Sequence, residues 1–180
     1  MKNSIFSFAA PLVLALVLTG MLQAKPVAYI YSLAQAEKIH IKSGNATVKA
    51  VKYANLDEGT VIQLGEGAAI TIFLGSGKKV AFDQKAQFRI TAGGVEALDG
   101  ETRNLLAAKG EVLVRPIGGS RDSSPAELPE VVKRELDAIE KGIADPAARS
   151  LFKIECYNKY GMKKRAQAEY ENYRKITAAK

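Results

Sequence analysis

From Lys25 to about Ser120 the chain is a train of short apolar runs, each cornered by Gly, Asn or Asp. The runs are VAYIYSL, KIHIKSG, TVKAVKY, TVIQLG, AAITIFL, KKVAF, QFRITAG and EVLVRP. Between them stand Gly44-Asn45, Asp57-Glu58-Gly59, Gly65-Glu66-Gly67, Gly75-Ser76-Gly77, Gly93-Gly94 and Asp99-Gly100. Short runs at regular spacing, separated by residues that accept tight-turn backbone angles, predict an antiparallel sandwich, roll or barrel. Ile39 and Ile41 flank His40, and Val112 and Val114 flank Leu113, so one face of each strand is expected to enter a core. In AAITIFL both faces are largely apolar, which places that strand at the centre of its sheet. The stretch VEALDGETRNLLAAKG is ambiguous, because Leu105 to Ala108 suit a helical turn or a strand.

The pattern changes after GGSRDSSPAELPE, a Gly, Ser, Asp and Pro cluster of loop composition. Ser123 or Ser124 is placed to cap a helix that Pro125 begins. Val132, Leu136, Ile139 and Ile143 then recur at helical spacing and form one apolar face. Glu130 with Arg134, and Asp137 with Lys141, sit one turn apart on the wet side. Asp145-Pro146 opens a second helix, with Ala147, Leu151, Ile154 and Tyr157 on one face. A turn at Gly161 leads to a third, with Met162, Ala166, Tyr170 and Tyr173 aligned. The fold class is therefore α+β: an N-terminal all-β sandwich or roll over 25–120, then a three-helix segment over 121–180.

Residues 1–24 have the layout of a secretory signal peptide: Lys2, the apolar stretch PLVLALVL, and a less apolar end at MLQA, with cleavage expected after Ala24. The alternative is an uncleaved inner-membrane anchor. Ile5 to Leu22 is about 18 residues, near the lower limit for a span, and Ser7, Pro11 and Thr19 interrupt it. A periplasmic or otherwise exported location is the expectation. Cys156 is the only cysteine, so no internal disulfide forms. The formal net charge of +7 is shared by both halves of the chain. Such a spread supports weak attraction to an anionic membrane or cell-wall surface and provides no stripe for nucleic acid.

Two resemblances attach to particular residues. Leu56 to Ile90 resembles the FecR-type domain of bacterial envelope proteins through Gly59, the Gly65 and Gly67 turn, the strand Ala69 to Leu74, and the Gly75-Ser76-Gly77 turn. The family usually has Asp-Gly-Ser at that last turn, and this chain has no aspartate there. The resemblance implies an extracytoplasmic β domain of binding, sensing or scaffold type, without catalytic residues. The last two helices resemble a degenerate tetratricopeptide repeat through Tyr157, Gly161, Ala166 and Tyr170. Ser150, Ile154 and Tyr173 depart from its pattern. A single repeat cannot bury its own faces and must pack on something else.

The residues offer little chemistry. His40 is the only histidine, and its alternation with Ile39 and Ile41 points it outward. One His and one Cys cannot build a usual zinc site. Asp57, Glu58, Asp99 and Glu101 read as turn residues. No residue is assigned a catalytic, cofactor or metal role. The densest charge feature is KYGMKKRAQ, where Lys159, Lys163, Lys164 and Arg165 crowd a turn and a helix start. These four, with Tyr160 and Tyr173, are the candidate partner contacts. The expected function is a non-enzymatic exported envelope protein: a β recognition or scaffold module with a helical tail that docks a protein partner. The alternative is a periplasmic cell-wall or carbohydrate-binding module or enzyme.

Overall fold

The computed structural model describes residues 26–118 and 127–179. It has two antiparallel five-stranded sheets followed by helices. The strands are β1 (Ala28–Ala34), β2 (Ile39–Ser43), β3 (Ala46–Val48), β4 (Asn55–Leu56), β5 (Val61–Leu64), β6 (Ala69–Leu74), β7 (Lys78–Phe82), β8 (Ala86–Thr91), β9 (Gly94–Ala97) and β10 (Val112–Leu113). The helices are α1 (Gly100–Lys109), α2 (Glu130–Gly142), α3 (Pro146–Lys159) and α4 (Lys163–Ala178). Sheet A runs β10-β7-β6-β1-β4 and sheet B runs β3-β2-β5-β8-β9. Their facing sides form one core, with Ile30, Ile70, Ile72, Val80 and Phe82 from sheet A against Ile39, Ile41, Ile62, Phe88 and Ile90 from sheet B. Phe82 and Phe88 stack across it at 4.2 Å between ring centroids.

β6 lies between β1 and β7, as its two apolar faces predict. Ile70, Ile72 and Leu74 enter the sandwich core. Phe73 points the other way and joins a second core under the helices, with Tyr29, Val114, Ile139, Leu151 and Phe152. The helices thus cover part of the outer face of sheet A. In the β6–β7 hairpin turn, Gly77 has φ +82, and a Cβ there would come within 2.5 Å of the Tyr173 hydroxyl oxygen on α4. The turn therefore needs glycine both for its backbone angle and for the approach of the last helix.

Two sequence expectations are corrected and one open reading is decided. The ambiguous stretch VEALDGETRNLLAAKG is helical from Gly100 to Lys109. Asp99 accepts from the Thr102 amide at 2.6 Å and starts α1, and Gly110 at φ 64 stops it. TVKAVKY is a strand only to Val48. Beyond it Tyr53 takes φ 70, donates its amide to the Ile30 carbonyl at 2.8 Å, and turns its ring into the helical core. In EVLVRP only two residues pair with β7; Val114 is buried, whereas Val112 is 53% exposed. The α2, α3 and α4 faces are as expected, with Val132, Ile139, Ile143, Leu151, Ile154 and Ala166 all buried. Asp145 caps α3 by accepting from the Ala148 amide at 3.0 Å. α2 starts at Glu130, after Pro129, and the proposed Ser123 or Ser124 cap lies outside the described residues.

Candidate functional site

The helices meet sheet A at one residue above all. Phe152 is fully buried, and its ring centroid lies 4.6 Å from that of Phe73, 5.4 Å from Tyr53, 5.5 Å from Tyr31 and 6.2 Å from Tyr29. Tyr31 stacks on Phe73 at 4.6 Å. Tyr29 on β1 and its partner Phe73 on β6 share the outer face of the sheet, and Tyr31, at a register shift of β1, stacks its ring there too, where α3 inserts its phenylalanine. Polar ties flank this interlock. Glu135 of α2, only 10% exposed at its side chain, accepts from Lys52 at 3.3 Å, Lys159 at 2.8 Å and the Tyr160 hydroxyl at 3.1 Å. Burial acts to raise the Glu135 pKa, but the Lys159 and Lys52 ammoniums prevail and hold it below its ordinary value. Asn158 of α3 donates to the Arg115 carbonyl at 2.9 Å and accepts from the Ile117 amide at 3.0 Å, gripping the strap that follows β10.

Where α3 ends its coverage of sheet A, a cleft of about 220 Å³ opens, lined by Tyr31, Thr71, Lys79, Ala81, Lys109, Gly110 and Val112. Its floor is the outer face of β1, β6 and β7, and its far wall is the end of α1. Both lysines on the rim are already neutralised within the molecule. Lys79 pairs with Glu155 at 2.7 Å, and Lys109 pairs with Asp83. The cleft therefore offers an aromatic ring, three methyl-bearing side chains and two hydroxyls more than a free positive charge. Its volume lies below the range of about 300–1,000 Å³ that holds whole small-molecule ligands. A second hollow, about 430 Å³, lies between the β7–β8 turn and α1 and is lined by Gln84, Lys85, Glu101, Asn104 and Leu105.

The six candidate partner contacts do not form one cluster. Lys159 and Tyr160 are engaged by Glu135, and the Lys159 ammonium lies 4.8 Å from the Tyr160 ring centroid. Lys163, Lys164 and Arg165 start α4. Tyr173 lies ten residues beyond Lys163, about 15 Å at the helical rise, packed over Gly77 and stacked on Tyr170 at 6.3 Å. Glu169 accepts from Ser150 and Asn172, at 2.6 and 3.0 Å. His40 is exposed on β2 opposite Gln63. Cys156 is buried, and burial pushes its thiol pKa up to about 11. Glu58 accepts from the Ala92 amide at 3.2 Å, and Asp99 caps α1. Among the described residues no three His, Cys, Asp or Glu side chains gather to hold a metal, and no helix is long and apolar enough to cross a membrane.

Phe152, Glu135, Asn158 and the cleft residues escaped sequence reasoning. The signal that was available is the second apolar face of β6, which requires a cover. Comparison of the chain with protein-family models, with curated proteins and with solved structures found no match in any of the three.

Proposed function

We propose that the protein is a non-enzymatic, exported envelope protein that recognises a protein partner at the seam between sheet A and its helices. The observation that carries this reading is the cleft of about 220 Å³ beside the Phe152 interlock. It is apolar on its floor, charge-compensated at its rim, and sized for a protruding side chain rather than a cofactor. In this reading the helical segment is a buttress that shapes the site, and the FecR-like and tetratricopeptide-like features describe a binding module. A photo-cross-linking side chain at Ala81, in the cleft, tests it in the producing cell. A discrete adduct with another envelope protein is expected there and not from Lys164 on the exposed side of α4. Equal labelling at both positions, or recovery of the protein in the cytoplasmic fraction, refutes the reading.

The polar hollow by α1 favours the second reading, a cell-wall or carbohydrate-binding module. Its amide, carboxylate and ammonium groups suit sugar hydroxyls. Co-sedimentation with purified peptidoglycan that is abolished by Asn104→Ala supports that alternative.

A further inference from the structure

The edge of sheet A at β10, whose Val112 also lines the cleft, carries a self-complementary arrangement. Residues Glu111 to Arg115 read EVLVR. Placed antiparallel to itself about Leu113, this segment sets Leu113 against Leu113, Val112 against Val114, and Glu111 against Arg115 at both ends. The backbone at Leu113 is set for that pairing, while the Arg115 carbonyl already accepts from Asn158 at 2.9 Å. The Val114 amide donates to the Gly77 carbonyl at 3.0 Å, so Val114 turns its polar groups toward β7. By the alternation of an antiparallel ladder, the amide and carbonyl of Leu113 then face away from the sheet. Val112 and Leu113, on opposite faces of the strand, are 53% and 46% exposed. The Arg115 side chain is exposed, and no carboxylate partner is found for it among the described residues. Glu111 reaches Lys78 at 3.1 Å and the Val95 amide at 3.3 Å, which leaves it 21% exposed at the strand's margin.

We propose that β10 is a dimerisation edge that pairs with β10 of a second copy of this chain. A twofold axis at Leu113 joins two A sheets into one of ten strands. The two Leu113 residues exchange their outward hydrogen bonds, each Val112 is covered beside the partner subunit's helical layer, and each Arg115 meets a carboxylate. An unpaired strand edge with apolar side chains on both faces is the kind of surface that proteins ordinarily cover, and opposite charges directly across a ladder select the register.

The test combines oligomeric state with a register-specific cross-link. Sedimentation equilibrium of the purified protein is expected to give a dimer. In a hydrogen-bonded antiparallel pair the Cα atoms lie about 5.5 Å apart, within disulfide reach. Leu113→Cys should therefore form a disulfide-linked dimer on mild oxidation, and Ile117→Cys, off the axis, should not. Cys156 is buried and stays out of the reaction. Arg115→Glu places like charges at both ends and should raise the dimer dissociation constant on the order of tenfold, with the far-UV circular dichroism of the wild type retained. A monomer at every concentration overturns the proposal. So does a dimer that Leu113→Cys fails to lock, or one indifferent to Arg115→Glu.

Discussion

Truncating Phe152 to alanine is the most direct perturbation of the joint between sheet and helices. The side chain is 0% exposed and touches four other rings. Phe→Ala in a core costs about 3–5 kcal/mol, from lost transfer energy and the cavity left behind. Aromatic pairs add about 0.5–1.5 kcal/mol each beyond burial, although contacts that share one ring do not sum. The loss should therefore fall near the upper end, about 4–5 kcal/mol. Total stability for a domain is about 5–15 kcal/mol, so the variant sits close to its unfolding threshold. With a urea slope of about 2 kcal/mol per molar, the midpoint moves down by about 2 M.

Two optical probes distinguish the joint from a local defect. The chain has no tryptophan, so near-UV circular dichroism reports on its seven tyrosines, of which Tyr29, Tyr31 and Tyr53 ring Phe152. Far-UV circular dichroism follows the backbone. In the wild type both signals should be lost in one transition, because β6 contributes to both cores. Phe152→Leu, which keeps most of the volume, should cost less than about 2 kcal/mol, and Val131→Ala, at a site 56% exposed, less than about 0.5 kcal/mol. A Phe152→Ala loss under about 1.5 kcal/mol, or separate helical and tyrosine transitions in the wild type, would refute the joint.

Other variants test the ties around it. Glu135→Gln keeps the shape but removes the charge, and should cost about 1–2 kcal/mol at neutral pH by urea titration. The Glu135 pKa is lowered in the folded state. Its contribution is therefore present above the unfolded carboxylate value of about 4.3 and lost as pH falls through the folded one, so the variant should flatten the acid limb of the stability profile. Asn158→Ala removes both hydrogen bonds to the β10 strap; a loss of about 1–3 kcal/mol is expected, with faster hydrogen exchange at the Ile117 amide. Gly77→Ala should lose at least about 1 kcal/mol from its positive φ and more from the Tyr173 side chain, and Tyr173→Phe, which removes the hydroxyl at 2.5 Å but leaves ring Cζ at 3.3 Å, should restore part of the second loss in a double-mutant cycle. The Cys156 thiol should react with an aromatic disulfide reagent only after unfolding, since it is buried and its pKa is about 11.

Local patterns were legible in the sequence because they rest on local physics. Alternation gave the inward face of β2, the two apolar faces of β6 gave its central place, and helical spacing gave the buried faces of α2 and α3. The Asp145 cap and the Gly161 turn followed from backbone chemistry of one or two residues. α1 was legible only in part, because Leu105 to Ala108 suited a helical turn or a strand. It lies over the sandwich with only Thr102 fully buried and Leu105 and Leu106 partly so, and it lacks an apolar stripe. Its start is marked by Asp99, which as a sequence feature reads as a turn residue. Contacts between distant residues left no mark. Glu135 meets Lys52 across 83 positions, and Asn158 meets Arg115 across 43. Asn158 in particular looks like an ordinary polar helix residue until the strap is laid beside it.

The boundary near residue 120 divides the chain, but it does not divide the packing. Sheet A has apolar side chains on both faces along β1 and β6, and a sandwich can bury only one of them. Without α2 to α4, Tyr29 and Phe73, now 2% and 1% exposed, would face water beside Tyr31. Two such rings, fully buried, represent about 3–6 kcal/mol of burial free energy, a large share of what a domain has to spare. A β half cut at residue 118 should therefore aggregate or recruit another apolar surface. A binding assay on that fragment would report on the exposed aromatic face and not on the seam. Point variants in the intact chain avoid this, and Ala81 and Lys164 serve because neither contributes to the second core.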